Sequence, residues 1–265
     1  MSSPAGGQPP DRWRFLDSGP GPGPLQMAID EALLLACARG LSPPTLRVFA
    51  FRPPCLSLGR FQPAGPWEEA CRALGLEVVR RPTGGGAVLH AGDVCYAVVA
   101  PLDDPAVGGS LRRSYCQISL ALRRFLETLG APSPEVCEAE GRVASRAAAC
   151  FALAGPYEVT VRGAKVIGSA QLRRRGVLLQ QGAIRTERDG ALEARLFPGL
   201  PQAPGLHELL GRPLAYREVA AALRDAFAEA LGLTLTPAPL SAEERELCRT
   251  VLASAGGSLQ AAPGR

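Results

Sequence analysis

The stretch YEVTVRGAKVIGSAQLRRRGVLLQQGAI, residues 157–184, contains three apolar runs separated by two short turn signals, RG and RRRG. Turns this short join antiparallel neighbours, because parallel strands need a crossover connection of a dozen residues or more. Outside this stretch, strand-like runs alternate with helical patterns; these runs lie at 45–51, 55–59, 76–81, 87–90 and 94–100. The sequence therefore predicts an α+β fold with mixed, largely antiparallel sheets flanked by helices. We interpret AGD, residues 91–93, as the turn of a further hairpin.

Four helices have recognisable periodicity or end signals. The pattern of 25–40 predicts a helix that ends at Gly40, a residue typical of the position after a C-cap. A second helix begins after Ser110, which we expect to cap it, and its apolar residues recur every three or four positions. These are Leu111, Tyr115, Ile118, Leu122, Phe125 and Leu129. A third helix covers 216–232, and Ser241 with Glu244 forms a capping box that starts the fourth.

Length and composition predict one substantial domain. The chain has 265 residues, 46% of them hydrophobic, and a net charge of +4. The boundaries we expect are a disordered lead over 1–11, a single domain over 12–252 and a loose tail over 253–265. No dense basic stripe suggests nucleic-acid binding, since we interpret RRR at 173–175 as a solvated turn. No apolar run suggests a membrane span or an export signal, so we expect a cytoplasmic protein, and a monomer because no dimer helix is recognisable.

The cysteines indicate neither zinc nor disulfides. There are eight, without a C-x-x-C pair, and most have apolar neighbours: Cys37, Cys55, Cys71, Cys95, Cys116, Cys137, Cys150 and Cys248. We therefore predict no metal site and mostly buried, unreactive thiols. Histidine occurs only at His90 and His207. His90 could be a general base, a substrate ligand or a satisfied polar group beneath the adjacent loop, and the sequence favours the last; His207 is interpreted as structural.

A glycine-rich loop is the first candidate site. RRPTGGGAVLH, residues 80–90, places Gly84, Gly85 and Gly86 between two strand-like runs. It is neither a Walker loop nor a G-x-G-x-x-G loop opening a helix. A flexible hairpin tip is one interpretation. The other is a main-chain floor against which a substrate lies, with N–H groups directed at a carbonyl or phosphate near Arg80 and Arg81.

The second candidate site is KVIGSAQ, residues 165–171. Lys165 lies in an apolar strand and, taken alone, is more typical of an exposed lysine whose stem covers the sheet. The small residues that follow, Gly168, Ser169 and Ala170, would let a ligand approach the backbone. Cys150 precedes the same meander. A nearby ammonium would stabilise its thiolate, but the spacing does not establish that Lys165 is near.

Together these segments resemble the lipoate–protein ligase and octanoyltransferase family, which is related to biotin ligases. The matching stretches run in order from about residue 12 to 252: WRFLDSG, MAIDEALL, PTLRVFAF, LSLGRFQ, RRPTGGGAVLH, CFALAGPYEV, KVIGSAQ and LLQQGAI. Within the family, the segments around CF, YEV and KVIGSAQ are most similar to octanoyltransferases of the LipM type. The resemblance implies the biotin/lipoate ligase catalytic-domain fold.

The resemblance also implies a mechanism. Cys150 matches the family's acyl-thioester nucleophile, and Lys165 matches the lysine that lowers the pKa of that cysteine. The octanoyl donor would be acyl carrier protein, which carries phosphopantetheine, and the acceptor a lysine of glycine-cleavage H protein or of a lipoyl domain. No other cofactor is implied. The substrate-binding residues implied are Arg81, Thr83, Gly84, Gly85, Gly86, His90, Gly168, Ser169 and Ala170.

Two residues depart from the family pattern. Ala91 stands where an aspartate usually follows the motif histidine, and Gln181 stands where LQHG would have histidine. Gln181 can form hydrogen bonds but cannot exchange a proton near neutral pH. Three other functions remain open: an ATP-dependent lipoate–protein ligase, an amidotransferase that moves octanoate between lipoyl proteins, and a non-catalytic module that binds acyl carriers.

Overall fold

The computed structural model describes residues 12–63, 66–136 and 158–259. Its strands are β1 (Arg12–Gly21), β2 (Thr45–Phe51), β3 (Cys55–Leu58), β4 (Glu77–Arg80), β5 (Val88–His90), β6 (Val94–Pro101), β7 (Pro134–Val136), β8 (Val159–Val161), β9 (Ala164–Arg174), β10 (Val177–Ile184) and β11 (Thr234–Pro237). Its helices are α1 (Gly23–Ala38), α2 (Pro66–Ala73), α3 (Leu111–Thr128), α4 (Gly190–Leu196), α5 (Leu206–Leu210), α6 (Tyr216–Leu231) and α7 (Ala242–Leu259). The predicted α+β class is confirmed.

An eight-stranded sheet forms the centre of the described chain. Its order is β11-β1-β2-β6-β10-β9-β8-β7. The pairs β1–β11 and β1–β2 are parallel, and the pairs from β2 through to β7 are antiparallel. Helix α1 is the crossover that parallel β1 and β2 require. The sheet is therefore mixed and largely antiparallel, as predicted.

The meander of β8, β9 and β10 turns at two Arg-Gly pairs. Arg162 and Gly163 have φ of 50° and 75°, and Arg175 and Gly176 have φ of 55° and 77°. Two consecutive positive φ angles are typical of the tight turns whose twist suits a hairpin. The predicted meander is confirmed, but the solvated RRR turn is wrong in part. Arg173 and Arg174 belong to β9, and only Arg175 is in the turn.

The smaller sheet has the order β4-β3-β5. Its presence corrects the hairpin expected around residues 91–93. Strand β5 pairs with β3 in the small sheet, whereas β6 pairs with β2 and β10 in the large one. Residues 91–93 therefore connect two sheets. Two strand-like runs joined by a short turn favour a hairpin locally. Here β5 and β6 pair instead with strands that are more distant in the chain, so tertiary contacts decide the pairing.

Helices cover both faces of the large sheet. On one face, α3 and α6 pack through Ile118, Phe125, Leu223 and Phe227 into one buried cluster. On the other face, α1 and α7 belong to a second cluster, which contains Leu33 among its buried residues. Helices α3 and α6 each contribute an apolar stripe, whereas α1 is apolar around most of its circumference and is buried more completely. No helix among the described residues is long and apolar enough to cross a membrane.

Helix ends follow the sequence signals except at the C-terminus. The hydroxyl of Ser110 accepts a hydrogen bond from the N–H of Arg113, and Ser241 and Glu244 make both bonds of a capping box. Helix α7 continues to Leu259, so residues 253–259 do not form the predicted loose tail. Extending an existing helix costs less than nucleating one, which lets α7 include a pair of glycines. The expected lead over 1–11 and residues 260–265 lie outside the described residues.

Candidate functional site

A pocket with about 410 Å³ of empty space lies between the two sheets. Its walls come from α1, β2, β3, the loop before β5, β5, β6, β9 and β10. The lining residues are Met27, Phe49, Phe51, Ser57, Arg81, Val88, His90, Cys95, Gly168, Ser169, Ala170, Gln181, Gly182 and Ala183. Small and apolar side chains predominate, with a few polar groups among them, which is the usual character of a small-molecule site.

Five of the residues predicted from the sequence meet in this lining. Gly168, Ser169 and Ala170 come from β9, whereas Arg81 and His90 come from the small-sheet side. Strand β8 pairs with β9 only as far as Ile167, so among the described residues the edge of β9 facing away from β10 has no strand partner beyond that point. Gly168, Ser169 and Ala170 follow this last described pair along β9. Direct contact with a substrate stays a prediction.

His90 is bonded through both ring nitrogens. Its Nδ1 lies 2.6 Å from Oδ2 of Asp93, and its Nε2 lies 2.8 Å from Oγ of Ser57. The ring stacks on Phe51, with 4.0 Å between ring centroids. A carboxylate, that of Asp93, thus lies beside the ring although residue 91 is alanine. This arrangement fits the interpretation of His90 as a satisfied polar group, and it also brings the ring to the pocket wall.

Cys95 completes a buried cluster with His90 and Asp93. One ligand-type atom from each residue lies within 4.8 Å of the other two. Burial raises the pKa of the Cys95 thiol well above its usual value, and the Asp93 carboxylate raises it further. Both ring nitrogens of His90 already have hydrogen-bond partners. We therefore describe these residues as a hydrogen-bonded cluster, and the absence of a metal stays a prediction.

The triple glycine loop is held from inside by Arg81. The guanidinium donates hydrogen bonds to the carbonyl oxygens of Gly84 and Gly86, and to the carbonyl and hydroxyl oxygens of Ser57. The described bonds of Arg81 thus organise the loop. Residues 84–86 are not among those that line the pocket, so their contact with substrate stays a prediction.

Gly85 has a local reason to be glycine. Its φ is +91°, and a Cβ there would lie 2.9 Å from Nη2 of Arg81. A Cβ on Gly59, in the facing loop, would lie 2.0 Å from the carbonyl oxygen of Gly85, so the two main chains are in close contact. By contrast, a Cβ on Gly84 would meet nothing within 4 Å. Gly85 therefore requires glycine for its conformation and its contacts, whereas Gly84 has space for a side chain.

Thr83 contacts the protein interior through Gln181. The Thr83 hydroxyl donates to Oε1 of Gln181 (2.7 Å), and Nε2 of Gln181 donates to Oδ2 of Asp30 (2.6 Å). Asp30 also forms a fully buried ion pair of 2.5 Å with Arg47. Burial raises the pKa of Asp30, although Arg47 and Gln181 oppose the rise. Gln181 uses one acceptor and one donor here, and a neutral imidazole offers the same two functions.

Ser169 is oriented by Tyr96. The two hydroxyl oxygens are 2.7 Å apart, and Nε2 of Gln180 donates to the tyrosine oxygen. Burial raises the pKa of Tyr96 to about 12. The ring lies against Gly182, where a Cβ would come within 2.1 Å of a ring carbon. Gly182 therefore leaves the space that the Tyr96 ring occupies, and Tyr96 in turn positions Ser169 in the wall formed by β9 and β10.

Lys165 is buried rather than exposed. Only 5% of its side chain is accessible, and its Nζ lies 2.5 Å from Oε1 of Glu158. The register of β9 against β8 shifts between Lys165 and Ile167, and such bulges redirect side chains. The interpretation of Lys165 as an exposed strand lysine is therefore wrong.

Cys150 lies outside the described residues, and so does its expected proximity to Lys165. The described thiols do not replace it as a candidate nucleophile. Burial raises the pKa of five of them: Cys37, Cys55, Cys71, Cys95 and Cys248. This agrees with the prediction of buried, unreactive cysteines. Cys116 is the half-buried thiol of the described part of the chain.

Sequence patterns do not mark Ser57, Asp93, Glu158 or Tyr96 as site residues. Asp93 had a visible signal, because a carboxylate three positions after a histidine can reach its ring across a turn. Ser57 and Tyr96 lie in strands whose partners are distant in the chain, and serine in such a strand carries no signal of its own. Glu158 belongs to the strand-like run YEVTV, and nothing in that run distinguishes it from an ordinary strand residue.

A family profile and individual relatives both match most of the chain. The profile of the lipoyl protein ligase A/B catalytic domain matches residues 22–228. Octanoyltransferase LipM of Kyrpidia tusciae is 44% identical over 260 residues, which cover 91% of this chain and 95% of the relative. Octanoyltransferase LipM of Symbiobacterium thermophilum is 40% identical over 263 residues, covering 91% and 94%.

Solved structures with the same fold include a lipoate-protein ligase A bound with ATP, with a TM-score of 0.70, 24% identity and coverage of 91% of this chain and 94% of that one. Another is the bi-partite lipoate protein ligase of Thermoplasma acidophilum, studied with its E2 lipoyl domain, with a TM-score of 0.68, 22% identity and coverage of 91% of both chains. These similarities concern the fold. The profile match and the relatives show that the chain belongs to the lipoyl protein ligase A/B catalytic-domain family.

Proposed function

We propose that this protein is an octanoyltransferase, which moves an octanoyl group from acyl carrier protein to a lysine of a lipoyl domain or of glycine-cleavage H protein. One observation carries the proposal: a chain that is 44% identical to an octanoyltransferase has a small, mainly apolar pocket between its two sheets. Transfer of a medium-length acyl chain needs such a pocket, open at one end for the carbonyl group.

The reaction proceeds in two half-reactions. The Cys150 thiolate attacks the carbonyl carbon of the octanoyl thioester, and the bond between that carbon and the phosphopantetheine sulfur breaks. The acceptor lysine amine then attacks the thioester on Cys150, forming an amide and releasing the Cys150 sulfur. A thioester is already activated, so no ATP is required and ping-pong kinetics are expected.

Lys165 is suited to an electrostatic function in this scheme. It is a buried cation on the strand that supplies Gly168 to the pocket, and it is paired with Glu158 at 2.5 Å. A positive charge near Cys150 would favour its thiolate. Main-chain N–H groups of β9 beyond Ile167 are candidates for stabilising the oxyanion, since the described part of β8 ends its pairing there.

The proposal is tested by incubating the protein with octanoyl-acyl carrier protein and measuring its mass. We expect a gain of one octanoyl group, which neutral hydroxylamine removes. Cys150→Ala should abolish the adduct, whereas the matched control Cys116→Ala should retain it. An adduct that survives Cys150→Ala, or no adduct on the unmodified protein, would overturn the proposal.

Further assays with other acyl donors distinguish the three alternative functions. An ATP-dependent ligase would form lipoyl-protein from lipoate and ATP, and Cys150→Ser would still do so. An amidotransferase would accept octanoyl-H protein as donor in preference to octanoyl-acyl carrier protein. A binding module would retain the acyl chain without a covalent adduct.

A further inference from the structure

Ser57, His90 and Asp93 form a continuous chain of hydrogen bonds at the pocket wall. The atoms are 2.8 Å apart between Ser57 and His90, and 2.6 Å apart between His90 and Asp93. All three residues are buried. Cys55 is opposite His90 and Ser57 is opposite Val88 in the β3–β5 pair, so Ser57 and His90 are diagonal neighbours on one face of the small sheet.

The direction of these bonds follows from the chemistry of the partners. An ionised carboxylate can only accept, so Nδ1 carries a hydrogen and donates it to Asp93. In the neutral ring Nε2 is then the acceptor, and the Ser57 hydroxyl donates to it. If the ring gains a proton, Nε2–H donates to Ser57, and the hydroxyl hydrogen is free to turn toward the pocket. The stacking of Phe51 keeps the ring in place in both states.

Among the ionisable groups of this cluster, His90 has the ring nitrogens that can both accept and donate a hydrogen. Lys165 is paired with Glu158, and Arg81 donates to Ser57 through a guanidinium that has no acceptor atom. The Cys95 thiol lies 3.5 Å from Asp93 and keeps its proton. Asp93 also lines a second cavity, together with two arginines and three further acidic residues: Arg185, Arg188, Glu187, Asp189 and Glu193.

We propose that His90, oriented by Asp93 and acting through the Ser57 hydroxyl, stores the proton that passes between the two half-reactions. This inference rests on the proposed function. In the first half-reaction Ser57 gives its hydrogen to the departing phosphopantetheine sulfur and takes one from Nε2 of the imidazolium. In the second, the acceptor amine loses a proton to Ser57, whose own hydrogen returns to Nε2. The amine's proton thus ends on the donor's thiol, and the enzyme is regenerated without net change.

The test compares two octanoyl thioesters in single-turnover acylation of Cys150. An alkyl thiol needs a proton as it leaves, whereas a thiophenol, being far more acidic, does not. Asp93→Asn and Ser57→Ala should slow acylation from the alkyl thioester by about 100-fold, which is a typical contribution of general acid catalysis. Both variants should keep acylation from the phenyl thioester within a few-fold of the original rate. The matched control Asp104→Asn, at a buried turn whose aspartate is not among the residues lining the pocket, should leave both rates unchanged.

The ratio of the two rates is measured within each variant, so partial unfolding does not affect it. Equal slowing of both thioesters would show that the three residues only support the structure, and would overturn the inference. Unchanged rates for the alkyl thioester would overturn it too. If the unmodified protein forms no Cys150 adduct with either thioester, the proposed function fails instead.

Discussion

The ammonium of Lys165 lies 2.5 Å from the carboxylate of Glu158, and both side chains are almost fully buried. Removing one partner of a buried ion pair typically costs about 3–5 kcal/mol. We therefore expect Glu158→Gln to lower the free energy of unfolding by about 3 kcal/mol, as measured by urea denaturation.

The surface pair of Arg123 and Glu127 provides the control for this prediction. Its side chains are 46% and 39% exposed, and exposed pairs contribute about 0–1 kcal/mol. Glu127→Gln should therefore leave the unfolding midpoint nearly unchanged. Equal effects of Glu127→Gln and Glu158→Gln would mean that the Lys165 pair is not energetically distinct from a surface pair.

Gln181 connects Thr83 to the buried Asp30, and this predicts an order among its variants. Gln181→Leu removes both hydrogen bonds and leaves a buried carboxylate with one partner fewer, at a cost of about 2–3 kcal/mol. Gln181→His offers one donor and one acceptor, so it should be the milder change. Thermal unfolding of the two variants tests the order. Leucine tolerated better than histidine would contradict this account.

Arg14 and Glu244 form a pair that makes stability depend on pH. Burial alone would raise the pKa of Glu244, but hydrogen bonds from Arg14, Ser42 and the N–H of Ser241 outweigh burial and hold the pKa below 4.5. The folded protein therefore binds this proton less tightly than the unfolded chain. The resulting stabilisation is fully present above about pH 4.5 and is lost as pH falls through the folded pKa.

Glu244→Gln should remove this contribution. Urea denaturation between about pH 7 and pH 3 should show a smaller loss of stability on acidification in the variant than in the original protein. Glu246→Gln provides the neighbouring control, because the Glu246 side chain is 66% exposed and pairs with Arg249 at the surface. A Glu244→Gln protein whose acid dependence is as steep as the original would place the responsible carboxylate elsewhere.

Local signals were sufficient for the parts of the fold that short-range chemistry decides. The Arg162–Gly163 turn, the Ser110 cap and the Ser241–Glu244 capping box all form as the sequence predicts. Strand β11 could not be assigned in the same way. It pairs in parallel with β1, whose residues come from the other end of the chain, and its four residues have no pattern that specifies that partner.

The candidate site was predictable in its segments but not in its bonds. The sequence identified His90 and the small residues 168–170, and the structure places them in one pocket. It did not identify Ser57 as the partner of His90, because that contact depends on the register of β3 against β5. Likewise, the Gln181–Asp30 bond requires α1 to pack against β10, and only the tertiary structure specifies that packing.

Gly84 and Gly85 should respond differently to substitution by alanine, because their backbone conformations and the space around them differ. Gly85→Ala places a Cβ at φ +91° and 2.9 Å from Arg81, so backbone strain of about 1–2 kcal/mol is added to the displacement of the guanidinium. Gly84→Ala meets nothing within 4 Å and should change stability by less than about 1 kcal/mol, in the stabilising direction.

Urea denaturation of the two variants measures this difference, and octanoyl adduct formation on Gly84→Ala then becomes informative. A stable Gly84→Ala protein that forms the adduct more slowly would show that the substrate contacts residue 84, as the sequence predicts. A stable protein with the original rate would limit the function of this glycine to the loop itself. Equal destabilisation by both variants would contradict the assignment of the conformational requirement to Gly85.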